Sequence, residues 1–274
     1  MADSLAERAP GVVLAGVVLA AGEGRRLRPL SRLRPKALCP MGPTTLVERA
    51  ITQVAAAVGT PVAVNVHHGR HAMVEHLGDR RDVHLSVEEP EALGTAGAVA
   101  HLADHLDGRG ALVVNADTVH VEDLRSFVAG WDGERVTVLA TPDPSLARPV
   151  GGAPPAWFGP RSGVVASIVP WERIRELRSE PSGLWEVLWR PELEAGRLAA
   201  VAAEGPLIDC GTTEQYLKAN LWLSGGRPVI GAGAVVRGTV ERSVVWPGAV
   251  VEEGEHLVDA VRADAHHTVL VRPI

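Results

Sequence analysis

The sequence predicts an α/β fold, a mainly parallel mixed sheet followed by a short β-helix-like tail, and three observations carry that prediction. Apolar runs the length of buried strands alternate with amphipathic stretches between Val12 and Val114, as crossover units of a parallel sheet do. The first run, Val12 to Ala20, breaks into a small-residue loop, Ala21-Gly22-Glu23-Gly24, at the strand end where parallel sheets hold their ligands. From Val229 onward the texture changes: Val245, Val251 and Leu257 are six apart, as are Ile230 and Val236, with glycines between them. That spacing suits the short faces of a triangular coil.

In chain order, the first glycine loop leads into Arg25, Arg26 and Arg28 and then Pro35-Lys36. Glycines let the backbone approach a bulky anion with its N–H groups turned inward, and fixed cations neutralise phosphate oxygens. The stretch is therefore read as a phosphate site. It has neither the P-loop spacing nor the dinucleotide fingerprint, since no glycine stands three residues after Gly24, and Pro29 and Pro35 disfavour a helix through it. Thr45-x-x-Glu48 forms a capping box that starts a helix with Leu46, Ile51 and Val54 near one face, and Gly59 stops it. A strand at Val62 to Val66, a helix around Arg70 to Leu77 and a strand at Val83 to Val87 follow. Residues 88–98, EEPEALGTAGA, then open a helix at Thr95, so their N–H groups are expected to face the same cavity as the first loop. Ala111 to Val114 reads as a buried strand with Asn115-Ala116-Asp117-Thr118 at its carboxyl end, a place suited to a carboxylate that holds a metal on a nucleotide.

Gly22, Gly24, Arg26, Leu27, Pro29, Leu30, Ser31, Pro35, Lys36, Leu38 and Pro40 together resemble the signature of the sugar-phosphate nucleotidyltransferases, the NDP-sugar pyrophosphorylases, and most of all their mannose-1-phosphate guanylyltransferase type. The resemblance implies a Rossmann-like nucleotidyltransferase domain over residues 11–225 and a hexapeptide-repeat, left-handed β-helix-like tail over 226–274. It implies catalytic roles for Arg26 and Lys36, nucleotide binding by Ala20, Ala21, Gly22, Gly24, Glu89, Gly94 and Thr95, and Mg2+ on Asp117 and on Asp209 of Leu207-Ile208-Asp209-Cys210-Gly211-Thr212. The expected reaction joins an NTP and a sugar 1-phosphate, or a cyclitol phosphate, to give an NDP-sugar and pyrophosphate. Glu89 accepts hydrogen bonds only, which fits the paired N1–H and N2–H2 donors of guanine better than uracil and favours GTP. The alternatives are a uridylyl- or thymidylyltransferase and a non-catalytic regulatory subunit.

The sugar half departs from the family. Thr141 to Arg161 holds six prolines and three glycines, so a surface loop or lid is expected. The family's Glu-Lys-Pro element is missing, and Trp185-Glu186-Val187 replaces the lysine that holds the sugar phosphate. Asn115, Gly152, Ser162 and Glu186 remain as sugar-phosphate candidates. Trp157, Trp171, Trp185 and Trp189 crowd this region in a chain with two Phe and one Tyr; core packing is expected of them ahead of a wall beside an unusual sugar. No metal is assigned to the eleven histidines.

Composition bounds the rest. With 27 Lys+Arg against 33 Asp+Glu the net charge is −6, which argues against a general nucleic-acid surface. A hydrophobic content of 46% in 274 residues supports a substantial core. Cys39 and Cys210 are too few for a disulfide framework, so a reduced cytoplasmic setting is expected. The apolar stretch 11–21 is preceded by Asp3 and Glu7 and not by a cationic flank, and it is too short to span a bilayer, so no export signal or membrane segment is expected. A coil of about two turns has too few neighbours to bury its own faces; it should dock on the first domain or on a second copy, which motivates a homo-oligomer.

Overall fold

The computed structural model describes residues 14–146, 156–264 and 267–271. Seven strands form the central sheet: β1 (Leu14–Leu19), β2 (Val62–Val66), β3 (Val83–Val87), β4 (Gly110–Asn115), β5 (Thr137–Ala140), β6 (Val164–Val169) and β7 (Ala199–Ala202). Their order is β7-β5-β6-β4-β1-β2-β3, and only β6 runs antiparallel to its neighbours. The Rossmann-like, mainly parallel mixed sheet is thus as expected. In the register of the central strands, Leu19 lies opposite Asn65 on one side and Asn115 on the other. Two polar side chains thereby flank the end of the first strand.

Both faces of the sheet are covered. Helix α1 (Leu46–Val58) packs Val47, Ile51 and Val54 onto one face with Val18, Val64 and Leu112. Thr45 caps it by accepting from the Glu48 amide at 3.3 Å, while the Glu48 carboxylate accepts from Thr44 Oγ1 at 2.8 Å. Helix α2 (Arg70–Leu77) has the predicted span. Helix α3 (Gly94–His101) buries Ala96 and Val99 on the opposite face, against Val17, Ala63 and Val113. It starts one residue before Thr95. The strand expected from Val12 is described only from Leu14, and β4 gains a residue at each end. The proline-bearing stretch does turn helically, contrary to expectation, but in pieces of three or four residues, at 25–27, 30–33 and 36–38, with Pro29 and Pro35 at the caps. A proline ahead of a helical turn removes no hydrogen bond, so both effects are satisfied.

Strands are present in the tail, from Val229 onward. Val229–Ile230 pairs with Val244–Val245, Val235–Val236 with Val250–Val251, and Thr239–Glu241 with His256–Val258, all parallel, and Val244–Val245 continues onto Ala260–Arg262. These are the three ladders of a three-sided coil, with offsets of 15 to 17 residues per turn, as Val229↔Val244 and Thr239↔His256 show, and not a strict three times six. Val245, Val251 and Leu257 point inward and are buried, whereas Ile230 and Val236 of the first turn are exposed. Thr268–Leu270 closes the far end by antiparallel pairing. The coil shares one core with helix α4 (Thr213–Leu223) and with the signature segment: Leu27, Leu30, Cys39 and Met41 pack with Tyr216, Val245 and Trp246. Tyr216 donates its hydroxyl proton to the Pro40 carbonyl and accepts from Trp246 Nε1 at 3.0 Å, and the Arg34 guanidinium sits 5.4 Å from the Trp246 ring centre. Among the described residues no helix is long and apolar enough to cross a membrane.

His120, beyond the short strand Thr118–Val119, is 2% exposed, and its carbonyl accepts from Arg49 at 2.8 Å. Burial, with the Arg49 charge beside it, pushes its imidazole down to about 4. The unfolded imidazole protonates near pH ~6.5, so between that pH and the folded value the unfolded chain binds the extra proton. The neutral side chain therefore adds stability in full above pH ~6.5 that is lost as pH falls toward 4, up to about 3 kcal/mol. Urea unfolding of wild type and His120→Gln at pH 7 and pH 4.5 should show a shallower acid loss in the variant; equal losses would exonerate the imidazole.

Candidate active site

A cavity of about 470 Å³ opens beyond the carboxyl ends of β1, β2 and β4. Its floor is set by Leu19, Asn65 and Asn115, and its walls come from the first glycine loop, from Gly94 and Thr95, and from Asp117 and Asp209. Asn65, a lone polar residue in the buried run VAVNV, organises two of these walls. Its Oδ1 accepts from the Ala20 amide at 2.7 Å, and its Nδ2 donates to Glu88 Oε1 at 2.7 Å. Glu88, fully buried, accepts with its other oxygen from the Leu93 amide at 2.8 Å. A buried carboxylate is tolerated only when so partnered, and the result ties the two glycine-bearing loops together. The sequence reading passed over both residues, although a polar side chain inside an otherwise apolar strand was a signal for one of them.

The cations of the first loop divide by partner. Glu23 pairs with Arg25 and Arg28, and the Arg25 guanidinium holds its carboxyl below the usual range. Arg26 instead reaches Asp209, Nη2 to Oδ2 at 3.5 Å. Lys36, with its side chain 10% exposed, donates to Asp117 Oδ2 and stands 3.7 Å from Asp209 Oδ1. Gly24 has φ +68, and a Cβ there would lie 3.0 Å from the Lys36 stem, so glycine lets loop and lysine meet. Asp117 and Asp209, 92 positions apart, come together because Thr118–Val119 pairs antiparallel with Ile208–Asp209, Thr118 opposite Asp209, and the Cys210 amide donates to the Asp117 carbonyl at 2.9 Å. Two carboxylates converging on one cation offer the hard oxygen donors that Mg2+ prefers. Among the described residues no group of three or more His, Cys, Asp and Glu is poised as a metal cage, so phosphate oxygens and water would complete the shell of an ion held there.

Of the residues expected at the site, Ala21, Gly22, Gly94, Thr95, Asn115, Asp117 and Asp209 line the cavity, and Ala20, between the lining residues Leu19 and Ala21, is buried. Glu89 does not: its carboxylate, 58% exposed, pairs with Arg70 beside a separate surface hollow formed with His71 and Val74. Ser162 accepts from the Gly159 amide at 3.1 Å, next to Gly163 on the cavity wall. Glu186 lines a smaller adjoining cavity, and Gly152 falls outside the described residues. The glycines of the second loop have a use that the sequence reading missed. Residues 180–184 lie across it: the Ala96 amide donates to the Ser182 carbonyl at 3.0 Å, Ser182 to Leu93 at 3.0 Å, and Leu184 to Thr95 Oγ1 at 2.7 Å. A Cβ on Gly94 would fall on the Ser182 carbonyl oxygen, and one on Gly97 on that of Glu180. The tryptophans pack as expected, with Trp157, Trp185 and Trp189 set edge-on around the buried Phe158 at 5.8 to 6.3 Å between ring centres. Cys39 and Cys210 are buried free thiols, both pushed up by burial, Cys39 to about 12.

Residues 15–145 match the family described as Nucleotidyl transferase. The N-acetylmuramate alpha-1-phosphate uridylyltransferase of Caulobacter vibrioides is 29% identical over 76% of this chain and 96% of its own length. A mannose-1-phosphate guanylyltransferase of Mycobacterium tuberculosis is 32% identical over 41% of the chain, which spans only 32% of that protein. Among solved structures, a putative glucose-1-phosphate thymidylyltransferase from Bacillus anthracis, in complex with sucrose, superposes with a TM-score of 0.62 at 18% identity, over 76% of this chain and 94% of that one, a likeness of fold.

The Asn65 bridge makes a direct test. Asn65→Ala strands the Ala20 amide and one oxygen of Glu88 in a buried setting, each at a cost of about 1–3 kcal/mol. The expected result in urea unfolding is a loss of at least about 2 kcal/mol; a change within ~0.5 kcal/mol, the range of an ordinary surface substitution, would show that the loops are held elsewhere.

Proposed function

We propose that the protein is a sugar-1-phosphate nucleotidyltransferase, joining a nucleoside triphosphate and a sugar 1-phosphate into an NDP-sugar with release of pyrophosphate. The observation that carries this reading is Lys36 set between Asp117 and Asp209 at the mouth of the glycine loop. In the reaction an oxygen of the sugar phosphate attacks the α-phosphorus in line; the bond to the bridging oxygen of the β-phosphate breaks, and pyrophosphate leaves. A phosphate monoester is already anionic near neutral pH, so positioning and charge neutralisation do the work and no general base is needed. Ala21 and Gly22 bring their backbone close to the triphosphate. Arg26, exposed and loosely paired with Asp209, turns onto the β- and γ-phosphates at little cost, and Lys36 neutralises the α-phosphate or the attacking phosphate. A Mg2+ ion on Asp117 and Asp209 would add neutralisation of both phosphates. The complete set of Arg26, Lys36, Asp117 and Asp209 favours an enzyme over a regulatory subunit.

For the base we put uracil first. Glu89, the residue that would have read guanine, is engaged with Arg70 away from the cavity lining, and the relative matched over nearly its whole length is named a uridylyltransferase. Guanine is the second reading, supported by the guanylyltransferase similarity. Pyrophosphate release with Mg2+, measured for UTP, GTP, dTTP, ATP and CTP against a panel of sugar 1-phosphates and cyclitol phosphates, tests both. Turnover with UTP, reduced by roughly 10²–10³ or more in Lys36→Ala, is expected. Preference for GTP would reverse the base assignment and keep the chemistry, whereas unimpaired turnover in Lys36→Ala would remove the role given to the lysine.

We also propose that the chain acts as a homo-oligomer in the cytoplasm. Ile230, Val235 and Val236 are exposed on the first turn of the coil, a short apolar edge of the kind that a second copy covers. Light scattering at micromolar concentration should give a dimer or larger; a monomer would contradict the proposal.

A further inference from the structure

The order of the central strands lays out the cavity walls. Across β4-β1-β2-β3 the carboxyl ends present in turn Asp117, then Gly22 and Glu23 of the first glycine loop, then His68, then Ala92 and Gly94 of the second loop. Glu23 and His68 thus stand between the aspartates and the second loop. By charge Glu23 is out of place, since a carboxylate repels the phosphates that a glycine loop is suited to hold. Two arginines offset that charge: Arg25 Nε donates to Oε2 at 2.5 Å and Arg28 Nη2 to Oε1 at 2.6 Å. An ionised carboxylate has about four acceptor positions, so these bonds leave about half of them open in a residue that lines the cavity. His68 is open as well. Its Nε2 is 3.9 Å from Glu23 Oε2, too far for a hydrogen bond, and among the described residues neither ring nitrogen has a hydrogen-bond partner. The ring is nonetheless held in place. The His68 amide donates to the Ala21 carbonyl at 3.4 Å, and its ring lies edge-on to that of His67, whose Nδ1 donates to the Glu88 carbonyl at 3.0 Å. The neighbouring Asn65 and Thr95 are engaged with other protein atoms.

From this arrangement we infer that Glu23 and His68 form a ribose-reading pair, which takes the 2′- and 3′-hydroxyls of the nucleotide and selects ribonucleotides over 2′-deoxyribonucleotides. The inference rests on the nucleotidyl-transfer reading and specifies the sugar that its nucleotide carries. Phosphates lying over the first loop beside Asp117 and Asp209 place the nucleoside across β1 and β2, its ribose over Glu23 and His68 and its base toward Ala92 and Gly94. A carboxylate only accepts hydrogen bonds. Apart from the base, the ribose hydroxyls are the only donors on an ionised nucleoside triphosphate. Two vicinal hydroxyls suit a carboxylate and an imidazole set side by side: one donates to Glu23, and the other bonds a His68 ring nitrogen, which serves as donor or acceptor. Dinucleotide-binding sheets use a carboxylate on a ribose hydroxyl by the same chemistry. A 2′-deoxyribose leaves one member of the pair unmatched in the filled cavity, which costs affinity.

The test is isothermal titration of the full chain with Mg2+, comparing UTP with dUTP and GTP with dGTP, so that the base is constant within each pair. For a base that binds, the ribonucleotide should bind roughly tenfold or more tightly, because a site built to bond a hydroxyl rejects the analogue that lacks it. Glu23→Gln and His68→Ala should each shrink that ratio to within about threefold while melting like wild type. The ratio is the readout because Arg25 and Arg28, released in Glu23→Gln, act on both nucleotides alike. Equal affinities in wild type, or an undiminished ratio in both folded variants, would overturn the pair. Should one variant fail to fold, the other decides alone. Pyrophosphate release from ribo- and deoxyribonucleotide with no such preference in binding would reject the pair and keep nucleotidyl transfer. Ribonucleotide-selective binding with no release for any sugar phosphate would keep the pair and reject the transfer.

Discussion

Two carboxylates from distant parts of the chain share one ammonium, and the arrangement of the site follows from that. The antiparallel pairing of 118–119 with 208–209 brings Asp117 and Asp209 onto one side of the cavity, where two like charges in a half-dry setting repel. Lys36, its stem enclosed and only its tip reaching them, offsets that repulsion. An opposite pair at about 4 Å attracts by about 4 kcal/mol at an effective dielectric near ~20, and less where solvent screens it, as at the half-exposed Asp209; the attraction favours the lysine in this position. The segment that carries it is in turn held from behind by the Tyr216 hydroxyl on Pro40 and by the apolar side chains of the coil.

The other half of the cavity is held by neutral and charged hydrogen bonds in series. Asn65 and Glu88 connect the first glycine loop to the second, and the 180–184 segment lies on the second loop through its backbone. The residues proposed to bind nucleotide and those of the 180–184 segment therefore belong to one hydrogen-bonded assembly. The glycines at 94 and 97 serve that seam by leaving room for two carbonyl oxygens, and Gly94, of which nucleotide binding was expected, lines the cavity as well.

Much of this was legible. The capping box at Thr45, the spans of β2, β3 and α2, and the glycine-arginine-lysine signature follow from local rules, since turn chemistry and periodicity are properties of neighbouring residues. What was not legible is what depends on tertiary partners. Nothing near Asp209 in sequence says that it will face Asp117; that requires a two-residue ladder between segments about ninety positions apart. Glu89 and Glu88 are adjacent acids, and the sequence reading gave the chemical role to the one that turns out to bind Arg70 at the surface, while the buried one braces the loops. Alternation along an extended chain sends neighbours to opposite sides, so a one-residue error of this kind reverses the assignment.

The position of Asp209 late in the chain has a consequence for how the protein comes into being. Synthesis runs from the amino terminus, and domains form as their residues emerge. The first glycine loop, Lys36, Asn65, Glu88 and Asp117 leave the ribosome long before Asp209 and before Tyr216 and Trp246, which support the signature segment from behind. A nascent chain thus has the first glycine loop and Asp117 without the second carboxylate or the rear support. The site is completed at a single late moment, when the last quarter of the polypeptide closes over the first.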